Sequence, residues 1–194
     1  KQRLAIERAA MPEQPAEVRG TNFWEVNLGL TEAAAIEEAR RCLQCKTAPC
    51  VEGCPVAVRI PQFLAHLAAG DLEGAAEILQ VDNALPATTG RVCPQETQCE
   101  ATCIRGKKGE AVAIGWLERF VADWAAENGT AKPAAPAKRT GQKVAVVGSG
   151  PSGLTAAGEL ARVGHDVTIF EALHAPGGVL MYGIPEFRLP KHIV

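Results

Sequence analysis

All seven cysteines of this 194-residue chain lie between Cys42 and Cys103, and the rest of the chain has none. The first residues, Lys1 to Leu4, do not read as a secretory signal, so a reducing compartment is expected, where disulfides are rare. Clustered thiols in such a chain usually bind metal or carry out redox chemistry. The distribution therefore predicts that this part of the chain is organised around a thiolate-bound group.

The cysteines form two groups in the sequence, spaced C-x2-C-x4-C-x3-C-P and C-x5-C-x3-C. Their members are Cys42, Cys45, Cys50 and Cys54, and then Cys93, Cys99 and Cys103. Closely spaced cysteines in a tight loop can supply three ligands of a cubane cluster, and a fourth cysteine followed by proline commonly ligates a different cluster. The spacing predicts [4Fe–4S] clusters.

Zinc and inert thiols are the alternatives to an iron–sulfur site. Two closed zinc sites need eight Cys or His ligands, typically in paired knuckles. Here only Cys42 and Cys45 have the two-residue knuckle spacing. The pattern therefore favours iron–sulfur over zinc.

Two polar features near the cysteines carry weaker signals. The basic segment Arg105-Gly-Lys107-Lys108 is expected to be a solvated loop, the alternative being that it offsets cluster charge and raises the reduction potential. His66 lies in an apolar helix and is expected to be a core or surface residue rather than a ligand.

Apolar periodicity and capping residues divide the chain into a helical part (1–127), a linker (128–142) and a strand–helix–strand part (143–194). The linker is rich in Pro, Ala and Gly and lacks periodicity. Helices are predicted from Thr31 to about Arg41, from Pro61 to Gly70, from Asp71 to about Val81 and from about Val112 to Ala126.

A glycine-rich loop follows the apolar run at 143–147 and opens a helix, and the next apolar run ends at Glu171. The loop reads Gly148-Ser149-Gly150-Pro151-Ser152-Gly153. In this strand–turn–helix context, G-x-G-x-x-G predicts a dinucleotide site, a ligand-free packing turn being the alternative. Gly148 would make the tight turn, Gly150 would admit the pyrophosphate and Gly153 would let helix and strand pack closely. Glu171 would accept hydrogen bonds from ribose hydroxyls.

The segment after Glu171 favours FAD over NAD. Gly177, Gly178 and Val179 follow soon after the acidic strand end. A paired glycine at this place is typical of flavoproteins, because it lets the chain pass close to the FAD again. His174, which precedes the pair, is expected to be an exposed loop residue.

The order of these motifs resembles the family of the NADPH-dependent glutamate synthase small (beta) subunit. Its relatives include the large subunit of the NADH-dependent ferredoxin:NADP oxidoreductase, sulfide dehydrogenase and the N-terminal region of dihydropyrimidine dehydrogenase. The matching segments are Cys42 to Pro55, Gly90 to Pro94, Ile114 to Phe120, Val144 to Glu171 and Gly177 to Pro190. Together they cover most of the chain.

The resemblance implies a mainly helical domain of the α-helical ferredoxin type that binds two [4Fe–4S] clusters, followed by the first β-α-β unit of a Rossmann-like FAD domain. By resemblance, one cluster would be held by Cys42, Cys45, Cys50 and Cys103. The other would be held by Cys54, Cys93 and Cys99, with Glu118 as a non-cysteine ligand. Arg188 matches an arginine of the family that contacts FAD.

The family also implies an oxidoreductase in which electrons pass from NADPH to FAD and through the clusters to a partner, a glutamate synthase large subunit or another acceptor subunit. Family members extend well beyond Val194, so we expect an N-terminal fragment that lacks the NADPH domain and is inactive alone. Its FAD binding is expected to be weak, because an incomplete sheet must order itself on binding.

The same residues are compatible with other functions. A non-enzymatic iron–sulfur electron-transfer or docking module, and a subunit of a ferredoxin:NADP or sulfide or ferric oxidoreductase, are the alternatives. The formal net charge of −2 argues against nucleic acid as a partner. No apolar run is long enough to cross a membrane, and a cytoplasmic location is expected.

Overall fold

The computed structural model describes residues 2–130 and 138–194, and most of its helices lie in the first range. They are α1 (Gln2–Ala5), α2 (Ala16–Arg19), α3 (Glu32–Arg40), α4 (Pro49–Glu52), α5 (Ile60–Ala68), α6 (Leu72–Asp82), α7 (Pro86–Val92) and α8 (Ile114–Glu127), with 3-10 turns at Gln95–Thr97 and Ile104–Lys108. The second range contains β1 (Lys143–Val147), α9 (Pro151–Arg162), β2 (Asp166–Phe170) and α10 (Val179–Tyr182). Residues 131–137 of the predicted linker lie outside the described residues.

The core of the first range lies between α3, α5, α6 and α8, with α7 packed along α8. Its large side chains are Leu30, Val58, Ile60, Phe63, Leu64, Leu67, Leu79, Ile114, Leu117 and Val121. Small residues such as Ala35 on α3 and Ala75 on α6 are fully buried, which lets the helices approach closely. Each large apolar side chain contributes about 1.5–3 kcal/mol through burial.

The predicted helix starts are confirmed where a side chain caps the helix. The Thr31 hydroxyl accepts the Ala34 N–H at 3.3 Å, and the Asp71 carboxylate accepts the Gly74 N–H at 2.9 Å. Gly70, with φ of +80°, follows the end of α5 as expected of a glycine in the left-handed region. α8 begins at Ile114 rather than near Val112.

The glycine-rich loop connects a strand to a helix, as predicted. β1 and β2 pair in parallel, with Lys143 opposite Asp166 and Val147 opposite Phe170, and α9 crosses between them. Parallel pairing places the loop after β1 beside Glu171, which follows β2. Among the described residues, no helix is both long and apolar enough to span a bilayer.

The expectation of a solvated basic loop is wrong at Arg105. Lys107 and Lys108 are exposed, but Arg105 is buried, and its guanidinium donates to the carbonyl oxygens of Leu4 at 3.2 Å and Ile6 at 2.9 Å. Backbone carbonyl groups of the N-terminal segment accept hydrogen bonds from Arg105 and thereby keep it buried. The composition of the segment around Arg105 does not indicate these distant acceptors.

Candidate metal centre and dinucleotide loop

The seven cysteines lie on loops and short elements between α3 and α8, and all are free thiols. Cys42 follows the end of α3, Cys50 lies in α4 and Cys93 follows α7. Cys42 and Cys99 are buried, and the other five are partly buried. Cys42 and Cys99 therefore belong to the helical core, and Cys50, Cys54 and Cys103 pack against it.

The backbone is strained in the segment that carries the first four cysteines. Positive φ angles occur at Gln44 (54°), Ala48 (39°) and Ala57 (53°), a region that non-glycine residues rarely adopt. Gln44 is anchored by donation from Nε2 to the Pro61 carbonyl at 2.8 Å and to the Cys42 Sγ at 3.4 Å. Such strain is typical of ligand-binding segments. Sequence spacing gave no signal for Gln44, because the x positions of C-x2-C are unrestricted.

Electrostatic coupling joins Cys42, Cys45, Cys50 and Cys103. Burial raises the pKa of the Cys50 thiol to about 12, and repulsion from Cys42 and Cys103 adds to the effect. Burial also raises the pKa of Cys42, with smaller contributions from Cys103 and Cys45. Cys103, which is distant in sequence from the other three, therefore lies near Cys42 and Cys50.

A second set comprises Cys54, Cys93, Cys99 and Glu118. Burial raises the pKa of Cys93 to about 11, with added repulsion from Glu118 and Cys54. Burial also raises the pKa of Cys99 to about 12, and repulsion from Glu100, Cys54 and Glu118 adds to the effect. Glu118 is only 8% exposed, and burial raises its pKa to about 7 against the hydrogen bonds that it accepts.

Cys99 and Cys103 do not share a helical face, although their spacing of four allowed it. The segment between them forms turns, and the two thiols belong to different sets.

The donor chemistry of both sets fits an iron–sulfur group. Thiolates buried near one another repel, and a bound cationic group removes that cost, as in sites built from Cys thiolates. In the described ranges 2–130 and 138–194, no three His, Cys, Asp or Glu side chains converge as the ligands of a single metal ion do.

A buried ion pair holds the start of the cysteine segment in place. The Glu38 and Arg41 side chains are at most 1% exposed and lie 2.5 Å apart. Arg41 donates to the Ala111 carbonyl at 2.9 Å, and Glu38 accepts the N–H groups of Ala9 at 2.7 Å and Ala113 at 2.8 Å. Because Arg41 precedes Cys42, this pair fixes the start of the first cysteine group against two other segments.

The three glycines of the dinucleotide loop have different surroundings. Gly148 has φ of +91°, which favours glycine for the tight turn. A Cβ on Gly153 would collide with the carbonyl oxygen of Gly148. Gly150 has φ of −64° and open space where a Cβ would lie. The chain's own packing therefore gives no reason for glycine at 150, whereas an approaching pyrophosphate would.

Glu171 is tied to this loop. It accepts the Ser149 N–H at 2.9 Å, the Ser149 hydroxyl and the Leu173 N–H at 2.8 Å. These bonds, led by that of the hydroxyl, lower the pKa of Glu171 to about 2. A carboxylate has about four acceptor positions, so capacity remains for a ribose hydroxyl.

The paired glycines pack directly on the loop. The Gly177 N–H donates to the buried Ser149 at 3.0 Å, and a Cβ on Gly178 would lie 2.8 Å from the Gly150 Cα. Both glycines have positive φ, at +119° and +53°. The remaining predicted residues of this site are placed as follows: Pro151 and Ser152 in the first turn of α9, Val179 at the start of α10, and Arg188 exposed after it.

A family profile decides the relationship of the helical part. Residues 19–130 match the family described as dihydropyrimidine dehydrogenase domain II, 4Fe–4S cluster. The chain belongs to this family. Residues 146–186 match the NAD(P)-binding Rossmann-like domain family, which covers the glycine-rich loop, Glu171 and the paired glycines.

Similar curated proteins agree with the resemblance stated from the motifs. The glutamate synthase [NADPH] small chain of Azospirillum brasilense is 39% identical over 186 residues, 95% of this chain and 39% of that protein. The NAD-dependent dihydropyrimidine dehydrogenase subunit PreT of Escherichia coli (strain K12) is 41% identical over 170 residues, 88% of this chain and 41% of that protein. The glutamate synthase [NADPH] small chain of Bacillus subtilis (strain 168) is 40% identical over 200 residues, 98% of this chain and 40% of that protein. The chain spans about two fifths of the length of these relatives.

Proposed function

We propose that the chain is the iron–sulfur part and the first flavin-binding unit of an NADPH-dependent oxidoreductase of the glutamate synthase small-chain type. The protein would relay electrons from NADPH through FAD and two [4Fe–4S] clusters to a partner subunit. The observation that supports this proposal is that one chain matches both a 4Fe–4S family and an NAD(P)-binding Rossmann-like family, with seven buried or partly buried cysteines in the first match and the glycine-rich loop in the second.

The roles proposed for the residues come from the resemblance to the family. Cys42, Cys45, Cys50 and Cys103 would hold one cluster. Cys54, Cys93, Cys99 and Glu118 would hold the other. Gly150 and the N-terminus of α9 would receive the FAD pyrophosphate, Glu171 a ribose hydroxyl and Arg188 the flavin nucleotide. When bound, FAD would take a hydride from NADPH, and the clusters would pass its electrons on singly.

A second candidate is the PreT type of NAD-dependent dihydropyrimidine dehydrogenase subunit. It is supported by the 41% identity to the Escherichia coli protein, which is as high as that of the glutamate synthase chains. Two measurements on a chain extended to the length of the relatives distinguish the two candidates. The first compares the rates of reduction by NADPH and by NADH, and the second tests whether the reduced protein delivers electrons to a glutamate synthase large chain. Efficient reduction by NADH and no delivery to that partner would favour the second candidate.

Iron and sulfide content tests the two-cluster proposal. Anaerobically purified protein is expected to contain about eight irons and eight acid-labile sulfides per chain. Cys50→Ser and Cys99→Ser should each remove about half of both, because each substitution takes one ligand from a different set. Stoichiometric zinc without labile sulfide would overturn the proposal.

Glu118 is tested by a pair of substitutions. We expect Glu118→Ala to disrupt the cluster of the second set, and Glu118→Cys to retain it with a lower reduction potential, because thiolate donates more charge than carboxylate. EPR of the reduced protein and iron content provide the readout. Glu127→Ala, an exposed glutamate at the end of the same helix, is the control. Unchanged signals and potentials in Glu118→Ala would exclude Glu118 as a ligand.

A further inference from the structure

A buried hydrogen-bond network holds the Glu118 carboxylate from the neighbouring helix. The Thr89 hydroxyl, on α7, lies 2.5 Å from Glu118 Oε1. Asn83 Nδ2, just after α6, donates to the same Oε1 at 2.9 Å and to the Thr89 Oγ1 at 2.7 Å. Asn83 and Glu118 are each 8% exposed, so these polar groups are largely removed from water.

The direction of each bond follows from the partners. Asn83 Oδ1 accepts the backbone N–H of Leu85 at 3.0 Å, which turns the amide NH₂ group toward Thr89 and Glu118. Because the Thr89 oxygen accepts one amide proton, its own single proton is free to donate. The Glu118 oxygen is the nearest of its acceptors, since the Leu85 and Pro86 carbonyls lie at 3.0 and 3.4 Å.

Thr89 is itself held in position by the segment that carries the second cysteine set. The Gln95 side chain, between Cys93 and Cys99, donates to the Thr89 carbonyl at 2.9 Å. It fills the space beside Gly115, where a Cβ would collide with it. The network therefore links α7, the segment of Cys93 and Cys99, and the first turns of α8.

We propose that Asn83 and Thr89 are positioning residues for the cluster of the second set, acting through Glu118. Both donate to Oε1, so Oε2 would be the carboxylate oxygen available to bind the metal. These hydrogen bonds withdraw negative charge from the carboxylate and would thereby raise the reduction potential of that cluster. This inference rests on the proposed ligand role of Glu118.

Thr89→Val tests the inference, because valine keeps the shape of threonine and removes the hydroxyl; Thr89→Ser keeps the hydroxyl. In anaerobically purified protein, EPR-monitored redox titration should show an approximately tenfold lower equilibrium constant for reduction of one cluster in Thr89→Val. This corresponds to about 59 mV for a one-electron couple. The reduction potential of the other cluster should equal that of the parent protein. In Thr89→Ser, both clusters should keep the potentials of the parent protein.

A double substitution separates positioning from a purely structural role. In a Glu118→Cys background the carboxylate is absent, so adding Thr89→Val should cause no further shift in potential. If Thr89→Val lowers only the unfolding temperature and leaves both potentials unchanged, the positioning role is wrong. If Glu118→Ala also leaves both clusters unchanged, the ligand assignment itself fails, which distinguishes the two outcomes.

Discussion

Glu38→Gln is expected to lower the free energy of unfolding by about 3–5 kcal/mol, because it leaves the buried Arg41 cation without its counter-charge. The carboxylate also accepts two backbone N–H groups, from Ala9 and Ala113, so the change weakens contacts to both segments. The midpoint of urea unfolding measures the effect. Iron content should fall as well, because Arg41 directly precedes Cys42.

The adjacent residue supplies a matched control. Glu37 pairs with Arg40 at 3.1 Å with the same i,i+3 spacing, but both side chains are more than half exposed. Exposed pairs contribute about 0–1 kcal/mol, so Glu37→Gln should leave the midpoint nearly unchanged. Equal midpoints for the two variants would show that the Glu38 pair does not stabilise the fold.

These two pairs show where sequence reasoning stops. Glu37 and Glu38 have the same spacing to successive arginines, and nothing local distinguishes them. The difference arises from packing, because the N-terminal segment and the residues before α8 cover one pair and not the other. Arg105 behaves likewise: its burial depends on carbonyl groups about 100 residues earlier in the chain.

Helix ends were predicted correctly where neighbouring residues alone determine them. Thr31, Asp71 and Gly70 mark helix ends through side-chain capping and a positive φ, which the neighbouring residues determine. α7 was not predicted, because its sequence, Pro-Ala-Thr-Thr-Gly-Arg-Val, has low helix propensity and is stabilised by packing on α8.

The candidate site divides in the same way. Spacing indicated the seven cysteines and the glycine loop as candidate sites. The resemblance supplied the division of the cysteines into two ligand sets, and that division remains a proposal. Neither indicated Gln44, Asn83 or Thr89. Their roles depend on contacts across the fold, such as the 2.5 Å approach of Thr89 to Glu118, which lies 29 residues away.

A second large effect, on FAD binding, is expected from a substitution in the glycine-rich loop. Gly150→Ala should weaken FAD binding by about 100-fold, or about 2.7 kcal/mol, because the methyl group would occupy the space that the pyrophosphate needs. The same substitution should leave the ligand-free fold intact, since φ of −64° suits alanine and no heavy atom beyond those of residues 149–151 lies within 4 Å of the added Cβ.

Gly153→Ala, in contrast to Gly150→Ala, is expected to destabilise the ligand-free fold. Its Cβ would collide with the Gly148 carbonyl, so overpacking should cost about 1–3 kcal/mol and lower the unfolding temperature by several degrees. Both variants are best made in a longer chain that completes the proposed flavin domain. Retained flavin absorbance after desalting then reports binding, and calorimetry of the ligand-free form reports stability. If Gly150→Ala retains FAD with the parent affinity, the pyrophosphate does not approach position 150, and the loop is a packing turn rather than a dinucleotide site.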